Sequence, residues 1–427
     1  MALILLTQPH DIFFQLHSAR THVQLLLQSY IPMNLYPLTI VPLSSSISLL
    51  NSMDIISVDF IVHSALWLLG FLFLFRISTC GGTITKSNRY PSISVIIPSR
   101  NEEYTLPNLL QSLRGQLSPE DEVIVVDDHS EDRTKTVAEK SGVKVLESLP
   151  TPDGWIGKTW ACCQGASMAS GEIVVFLDAD TELEQNGLKK MIEAYIARDG
   201  VLSIQPYHKI GKLYEQFSAY FNLVMMAAIG AFTILGNHIK PIGLFGPVLI
   251  MQRQYYVDSG GHEKVKGEIL EDVALGFELK KKGLAIHCLG GKDTISFRMY
   301  PNGIKELING WSKGFAKGAG KTSIPVLILI IAWIAGSIGT TGSLIEAIVG
   351  TNNVQTAIWG SLYVLYAAQI YWILVRIGNF KFYTALFYPI PLSFFVLVFT
   401  FSFVRVFFFR NVKWKGREID LNRKVNK

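Results

Sequence analysis

The residues best suited to chemistry are acidic and stand in three places. FLDADT sets Asp178 and Asp180 one residue apart, directly after an apolar run. Two carboxylates at the end of a rigid strand offer hard oxygen ligands to Mg2+ or Mn2+, which take one or two carboxylates and leave their other positions to phosphate and water. A D-x-D pair alone is a weak signal, equally at home in a solvated turn, but it has company. A run ending Pro98-Ser99-Arg100-Asn101-Glu102-Glu103 is followed by a second ending Asp127-Asp128-His129-Ser130, about thirty residues on, the spacing of one β-α-β unit. Carboxylates at the end of a second strand can hold a nucleoside's ribose or base edge, as in dinucleotide folds. The third place is ILEDVALGFELKKKG, where Glu271 and Asp272 open a helix with Val273, Leu275 and Phe277 behind them; the helix dipole alone favours acids there. Neither G-x-G-x-x-G nor G-x-x-x-x-G-K-[ST] occurs, so neither a dinucleotide cofactor nor a P-loop is indicated. Cys80, Cys162, Cys163 and Cys288 show no metal-ligand spacing and fit buried thiols in a reducing compartment.

The elements that must position these acids follow from the pattern after Pro91. SISVIIP, EVIVVDD, VKVLES and EIVVFLDAD alternate with the helical segments TLPNLLQSLRGQ, TKTVAEKSG and TWACCQGASMA. Short Val/Ile runs separated by helices predict an α/β fold with a mainly parallel sheet. Ligands bind beyond the carboxyl ends of such strands, so 98–102, Asp127–Asp128 and Asp178–Asp180 should converge on one crevice.

Composition adds a membrane. The 427 residues carry 39 Lys+Arg against 34 Asp+Glu, a net +5 that is too little for a dedicated nucleic-acid binder. Charged residues are 17% and hydrophobic residues 49%, against about 25% charged in an ordinary soluble domain, and the mean hydropathy is +0.30. Disorder and a small disulfide scaffold are excluded, and part of the chain is expected to lie in lipid. Residues 1–52 show no sustained period and read as a poorly ordered extension or a start set upstream of Met53. A first span is expected over 53–76, a catalytic unit over 77–323, further spans at 324–346, 355–376 and 382–409, and a basic tail over 410–427. The apolar stretch at 215–238 reads as an interfacial or groove-lining helix. Arg76, Lys86 and Arg89 put the catalytic unit on the cytoplasmic side. The loop at 376–381 and the tail are both basic, so the last segment is expected to turn back at Pro389 and Pro391.

SVIIPSRNEE, VIVVDDHSEDRT and the D-x-D together resemble the family 2 glycosyltransferases of the GT-A fold. DGWIGKTWACCQGA (153–166), LSIQPYH (202–208), LFGPV (244–248), GGH (260–262), FRMY (297–300), GWSKGFAKGAGKT (310–322) and VKWKGRE (412–418) resemble the members that glucosylate bacterial C30 carotenoid acids. The resemblance runs from about Met53 to Glu418. It implies that Pro98, Arg100, Glu102, Asp127 and Asp128 hold the nucleoside of a UDP-sugar, that Lys158 reaches toward its diphosphate, and that Asp178 and Asp180 hold Mg2+ or Mn2+. It also implies Asp272, with Glu271 as alternate, as a general base. Trp311, Lys313, Lys317 and Lys321 stand where many membrane members carry Q-x-x-R-W, as a diphosphate or acceptor region; the departure argues against a processive synthase. His208 and His262 are more often structural than ligand-binding residues.

The implied function is inverting transfer of glucose from UDP-glucose to the carboxylate of an apolar carotenoid acid. The implied place is a multi-pass protein of the cell membrane. One tension accompanies it: a carboxyl group with pKa near ~4 is already ionised at neutral pH and needs no base. A hydroxyl-bearing membrane lipid is therefore an alternative acceptor, and a non-catalytic nucleotide-binding scaffold is an alternative of another class.

Overall fold

The computed structural model describes residues 43–81, 90–234, 241–268, 270–312, 318, 320–404, 411–414 and 417–420. The expectation for residues 1–42 lies outside them. The chain divides at Asp59 into two units, the first of which is described only in the opening part of helix α1 (Leu43–Phe73). That helix begins ten residues before the expected start at Met53.

The catalytic unit alternates as the apolar runs require. In chain order it contains β1 (Ile93–Ser99), α2 (Leu106–Leu113), β2 (Glu122–Asp127), α3 (Thr134–Lys140), β3 (Lys144–Glu147), α4 (Gly157–Met168) and β4 (Ile173–Leu177). There follow β5 (Thr181–Leu183), α5 (Gly187–Ile196), β6 (Val201–Gln205), β7 (Tyr207–His208), α6 (Ala219–Ile229) and β8 (Val248–Gln252). The unit ends with α7 (Arg253–Ser259), α8 (Glu271–Lys281), β9 (Ile286–Gly290), β10 (Ile295–Phe297) and α9 (Ile304–Ser312). Seven strands form one sheet in the order β3-β2-β1-β4-β8-β6-β9, parallel throughout except that β8 runs antiparallel to both neighbours. A sheet covered on both faces needs strands that are apolar on both faces. In β1, Val95 and Ile97 pack with one core and Ile96 with the other, the alternation of a pleated strand. Helix α2 buries Leu106, Leu109, Leu110 and Leu113, one stripe at helical spacing. A second sheet, β5-β10-β7, braces the chain that follows β4.

The apolar C-terminal region forms α10 (Ile324–Val349), α11 (Asn353–Ile377), α12 (Phe382–Leu386) and α13 (Pro389–Val404). With 26 and 25 residues, α10 and α11 are long and apolar enough to cross a membrane. The segment 382–409, expected to turn back at Pro389 and Pro391, forms two helices, α12 ending at Leu386 and a new one starting at Pro389. Proline lacks an N–H and fits a first helical turn rather than an interior. The 16 described residues of α13 reach ~24 Å at ~1.5 Å per residue, against a ~30 Å hydrocarbon layer. In the tail, β11 (Asn411–Trp414) and β12 (Arg417–Asp420) pair antiparallel.

Polar side chains fasten these helices. Trp333 Nε1 of α10 donates to Gln369 Oε1 of α11 at 2.8 Å, and Gln369 Nε2 donates to the Trp67 carbonyl of α1 at 2.9 Å. Gly70 leaves room for both side chains. The catalytic unit is fastened in turn: Asn379 N donates to His208 O at 3.0 Å, Gln216 Oε1 accepts from Lys381 N at 3.2 Å and Thr384 Oγ1 at 2.5 Å, and Ser402 Oγ donates to Ser312 O at 2.7 Å. Replacing Gln369→Leu strands the Trp333 N–H in an apolar bundle, at a cost of about 1–3 kcal/mol. Thermal unfolding in detergent should show a Tm lower by roughly 2–6 °C; an unchanged Tm would mean that the bridge contributes nothing.

Candidate active site

The loops after β1 and β2 are welded to each other by the very residues that make the motif. Arg100 Nη1 donates to the carbonyls of Asp128 at 2.7 Å and His129 at 3.0 Å. Asn101 N donates to Ser130 Oγ at 3.0 Å, Glu131 N to Asn101 Oδ1 at 2.8 Å, and Glu102 N to Thr134 Oγ1 at 2.7 Å. Asn101 and His129 turn these loops at φ of 54° and 51°, a region that Asn and His enter more readily than most residues. Beneath the loops lies a cavity of about 440 Å3 lined by Pro98, Arg100, Glu102, Asp128, Asp178 and Asp180. The crevice expected from the sequence is therefore present.

One member differs from expectation. Arg100 lines the cavity while its Nη1 also ties the Asp128 and His129 carbonyls, but Asp128 rather than Asp127 lines it. Asp127 Oδ2 accepts from Ser130 N at 3.3 Å, closing the turn. Asp128, 2% exposed, packs on Gly157 at the start of α4, where an added Cβ would collide with its carboxylate. The first turn of α4 brings the positive end of a helix to that carboxylate.

At the end of β4, Asp178 N donates to Pro247 O at 2.9 Å, and Thr181 donates to the Asp178 carbonyl through N at 3.1 Å and Oγ1 at 2.7 Å. This tight turn puts Asp178 and Asp180 on the cavity wall together. Lys158 Nζ of α4 lies 2.8 Å from Asp178 Oδ1 and 3.5 Å from Glu271 Oε1. Burial alone would favour the neutral amine, but Asp178, Asp272 and Glu271 outweigh it and hold the ammonium well above the usual lysine range. Lys158 thus neutralises the acids whose neighbour, the diphosphate, it was expected to meet.

The donor set fits a hard divalent cation. Among the described residues no group of three or more His, Cys, Asp or Glu is arranged as a metal site, so the chain offers two carboxylates and leaves the other positions to substrate and water, as Mg2+ prefers. An ion there would share or displace the pairing of Asp178 with Lys158.

A second cavity, of about 350 Å3, meets the first at Lys158, Asp178, Glu271, Met299, Tyr300 and Gly310. Its walls are mostly apolar: Val224, Met225, Ala228 and Ile229 from α6, with Leu327 and Ile330 from α10. The charge-free stretch read as groove-lining contributes this face. Asp272 stands in the wall against Gly246, where a Cβ would collide with its carboxylate. Trp311 serves as wall too, stacked on Phe221 at 5.0 Å with its Nε1 donating to Ser218 Oγ at 3.1 Å; its N–H is not offered to a phosphate. Lys313 and Lys317 lie outside the described residues, and Lys321 lines the cavity while pairing with Glu268 at 3.3 Å.

Sequence reasoning missed Gln205, a buried amide in the wall of this cavity. The available signal was a long polar residue closing the apolar strand VLSIQ. His208 and His262 line neither of these two cavities and make structural contacts: His262 Nδ1 meets Tyr256 OH at 2.9 Å, and His208 Nδ1 meets Asn222 Nδ2 at 3.4 Å between the rings of Phe297 and Phe380.

A polar cavity and an apolar cavity that share an acidic strand end define a group-transfer site for one polar and one apolar reactant. The sequence model described as "Glycosyl transferase family 2" matches residues 94–248, the stretch that builds the polar cavity's floor. A 4,4'-diaponeurosporenoate glycosyltransferase of Staphylococcus haemolyticus (strain JCSC1435) is 37% identical over 335 residues, 77% of this chain and 89% of its own. The protein of that name from Staphylococcus aureus (strain N315) is 33% identical over 346 residues, 80% of this chain and 92% of its own. A mannosyltransferase of Pyrobaculum calidifontis, solved with GDP-Man and Mn2+, is 16% identical with a TM-score of 0.48, covering 81% of this chain and 98% of that one. The chain belongs to glycosyltransferase family 2. It is a glycosyltransferase, and its mostly parallel sheet is the GT-A-like arrangement.

The two buried histidines set a pH dependence. Burial pushes His208 down to about 4, against a weaker opposing pull from Glu215, and pushes His262 down to about 3, with Lys158 acting in the same direction. In the unfolded chain both titrate near 6.5. Below that value the unfolded chain takes up protons that the folded one refuses, so stability present at neutral pH is lost as pH falls from 6.5 toward 4. Tm should drop between pH 7 and pH 5, and His262→Gln should flatten that slope by about half; a flat profile for the native protein would mean that the rings are not held neutral.

Proposed function

We propose that this glycosyltransferase moves glucose from UDP-glucose to the carboxylate of an apolar carotenoid acid, with inversion, at the cytoplasmic face of a membrane. The observation that carries the reading is the junction of the two cavities at Lys158, Asp178 and Glu271: a nucleotide-sized polar site opens there onto an apolar one walled by a helix long enough to cross lipid. The relatives named 4,4'-diaponeurosporenoate glycosyltransferase support the acceptor class. With α10 and α11 as spans, the catalytic unit faces the compartment that holds nucleotide sugars, and Arg76 after α1 agrees with that side.

In this reading Glu102 and Asp128 hold the nucleoside beneath the welded loops, and Asp178 and Asp180 face the diphosphate. A divalent ion held by those two carboxylates would neutralise charge on the departing UDP. Lys158 adds a fixed positive charge at the same point and keeps the acids from repelling the donor. The acceptor carboxylate approaches from the apolar cavity, one of its oxygens attacks C1 of glucose, the bond from C1 to the UDP oxygen breaks, and the electron pair leaves with UDP. Attack and departure on opposite faces invert C1. No proton moves in this step, so Asp272 contacts the sugar instead of serving as a base. The place of Asp272 in the acceptor wall favours one second reading, a hydroxyl acceptor whose proton Asp272 removes.

Asp180→Asn should lower kcat by about 100-fold or more while leaving Tm near the native value; normal turnover would remove Asp180 from the site. The acceptor is tested with radiolabelled UDP-glucose, membranes containing the protein and a carotenoid lipid extract, the labelled lipid then being exposed to mild alkali. Base cleaves a glucosyl ester and spares an ordinary glycoside, so release of label is expected. Retention would establish a hydroxyl acceptor, and no labelled lipid would overturn the donor or acceptor assignment.

A further inference from the structure

We propose that the side-chain amide of Gln205 holds the acceptor's carboxyl end in the apolar cavity. This rests on the reading above, in which that cavity takes an apolar acid. Gln205 is 2% exposed, and among the described residues neither its Nε2 nor its Oε1 has a hydrogen-bond partner. A buried amide left without partners is costly, because it has given up water and gained nothing. Such a group is explained when a ligand completes it.

The strand fixes where the amide points. Val201, Ser203 and Gln205 share one face of β6, and Ser203 Oγ on that face accepts from Phe245 N at 2.7 Å and donates to Phe245 O at 2.9 Å. The segment holding Leu244, Phe245 and Gly246 is thereby pinned over this face, and these residues line the same cavity as Gln205.

The ligand's chemistry follows from the neighbours. Gln205 lines the apolar cavity, while the polar cavity is walled by other residues, so the amide faces the acceptor rather than the nucleotide. An incoming carboxylate meets Asp272 and Glu271 in the same wall, and both cations there are engaged, Lys158 with Asp178 and Glu271 and Lys321 with Glu268. The two N–H donors of a neutral amide can hold a carboxylate without drawing those acids inward, and in surroundings made by Phe245, Phe297 and Met299 such bonds are stronger than in water.

The test uses full-length protein in lipid nanodiscs with a carotenoid acid and, in parallel, the primary alcohol of the same polyene. Gln205→Leu removes the unpartnered amide at nearly constant volume, so Tm should stay level or rise. Its KM for the acid should rise about 10-fold, with KM for UDP-glucose and acceptor-free hydrolysis of UDP-glucose unchanged within twofold. Gln205→Glu adds a negative charge, so transfer to the acid should fall below that of Gln205→Leu while transfer to the alcohol survives. A native KM for the acid in Gln205→Leu overturns the assignment, as does an equal rise in both KM values, which would place the amide on the donor, or a fall in Tm with uniform loss, which would make its role structural. Absence of transfer by the native protein to either polyene overturns the proposed function itself, an outcome distinct from all of these.

Discussion

Everything in the site depends on keeping several carboxylates close together around one ammonium. Asp178 arrives at the end of a buried strand, Glu271 and Asp272 in the first turn of a helix, and Asp180 on the turn between β4 and β5. Left alone, these groups would repel one another and any phosphate. Lys158, at 2.8 Å from Asp178 and 3.5 Å from Glu271, is the counter-charge that lets them share one place. Its backbone is fixed by α4, whose first turn also meets the Asp128 carboxylate through Gly157. One helix start thus compensates acids on both sides of the crevice, by its dipole on one side and by a lysine on the other.

The second constraint is that the apolar helices are part of the active site. Helix α6 packs against α10, α11 and α13 on one side and presents Val224, Met225, Ala228 and Ile229 to the cavity on the other. A rigid connection is needed for that shared wall to keep its shape. It comes from backbone and side-chain bonds at Asn379, Gln216 and Ser402. These contacts carry little chemistry of their own. They fix the distance between the place where a polar substrate is gripped and the place where an apolar one can lie.

Much of this was legible in the sequence, for reasons that differ from residue to residue. The strands were readable because a sheet covered on both faces demands Val/Ile runs, and the convergence of 98–102 with Asp178 follows from parallel connections alone. Which of Asp127 and Asp128 lines the cavity was not readable, since two adjacent acids at a strand end point in opposite directions and only the register decides that it is Asp128. The bonds from Arg100 to the carbonyls of Asp128 and His129 were not readable for a related reason, since they depend on how the two loops meet. The interruption of segment 382–409 at Pro389 was readable, because a proline has no N–H to give a helix interior. Gln205 went unnoticed because a single polar residue at the end of a strand is ordinary; what sets it apart is burial without a partner, a property of the fold.

The division of labour between the cavities explains why the site can tolerate its own acidity. In the polar cavity negative charge is useful only if positive charge is brought to it, by Lys158 and by whatever cation Asp178 and Asp180 hold. In the apolar cavity the same acids form part of the wall, and low polarity makes their field reach further. A reactant that carries its own negative charge into that space must be stabilised by donors that add no charge, or approach along Lys158. In the proposed reading the Gln205 amide supplies the first, because the ammonium at the junction of the two cavities is already paired with Asp178 and Glu271. Transfer in that reading takes place at the same junction, where Lys158, Asp178 and Glu271 line both cavities.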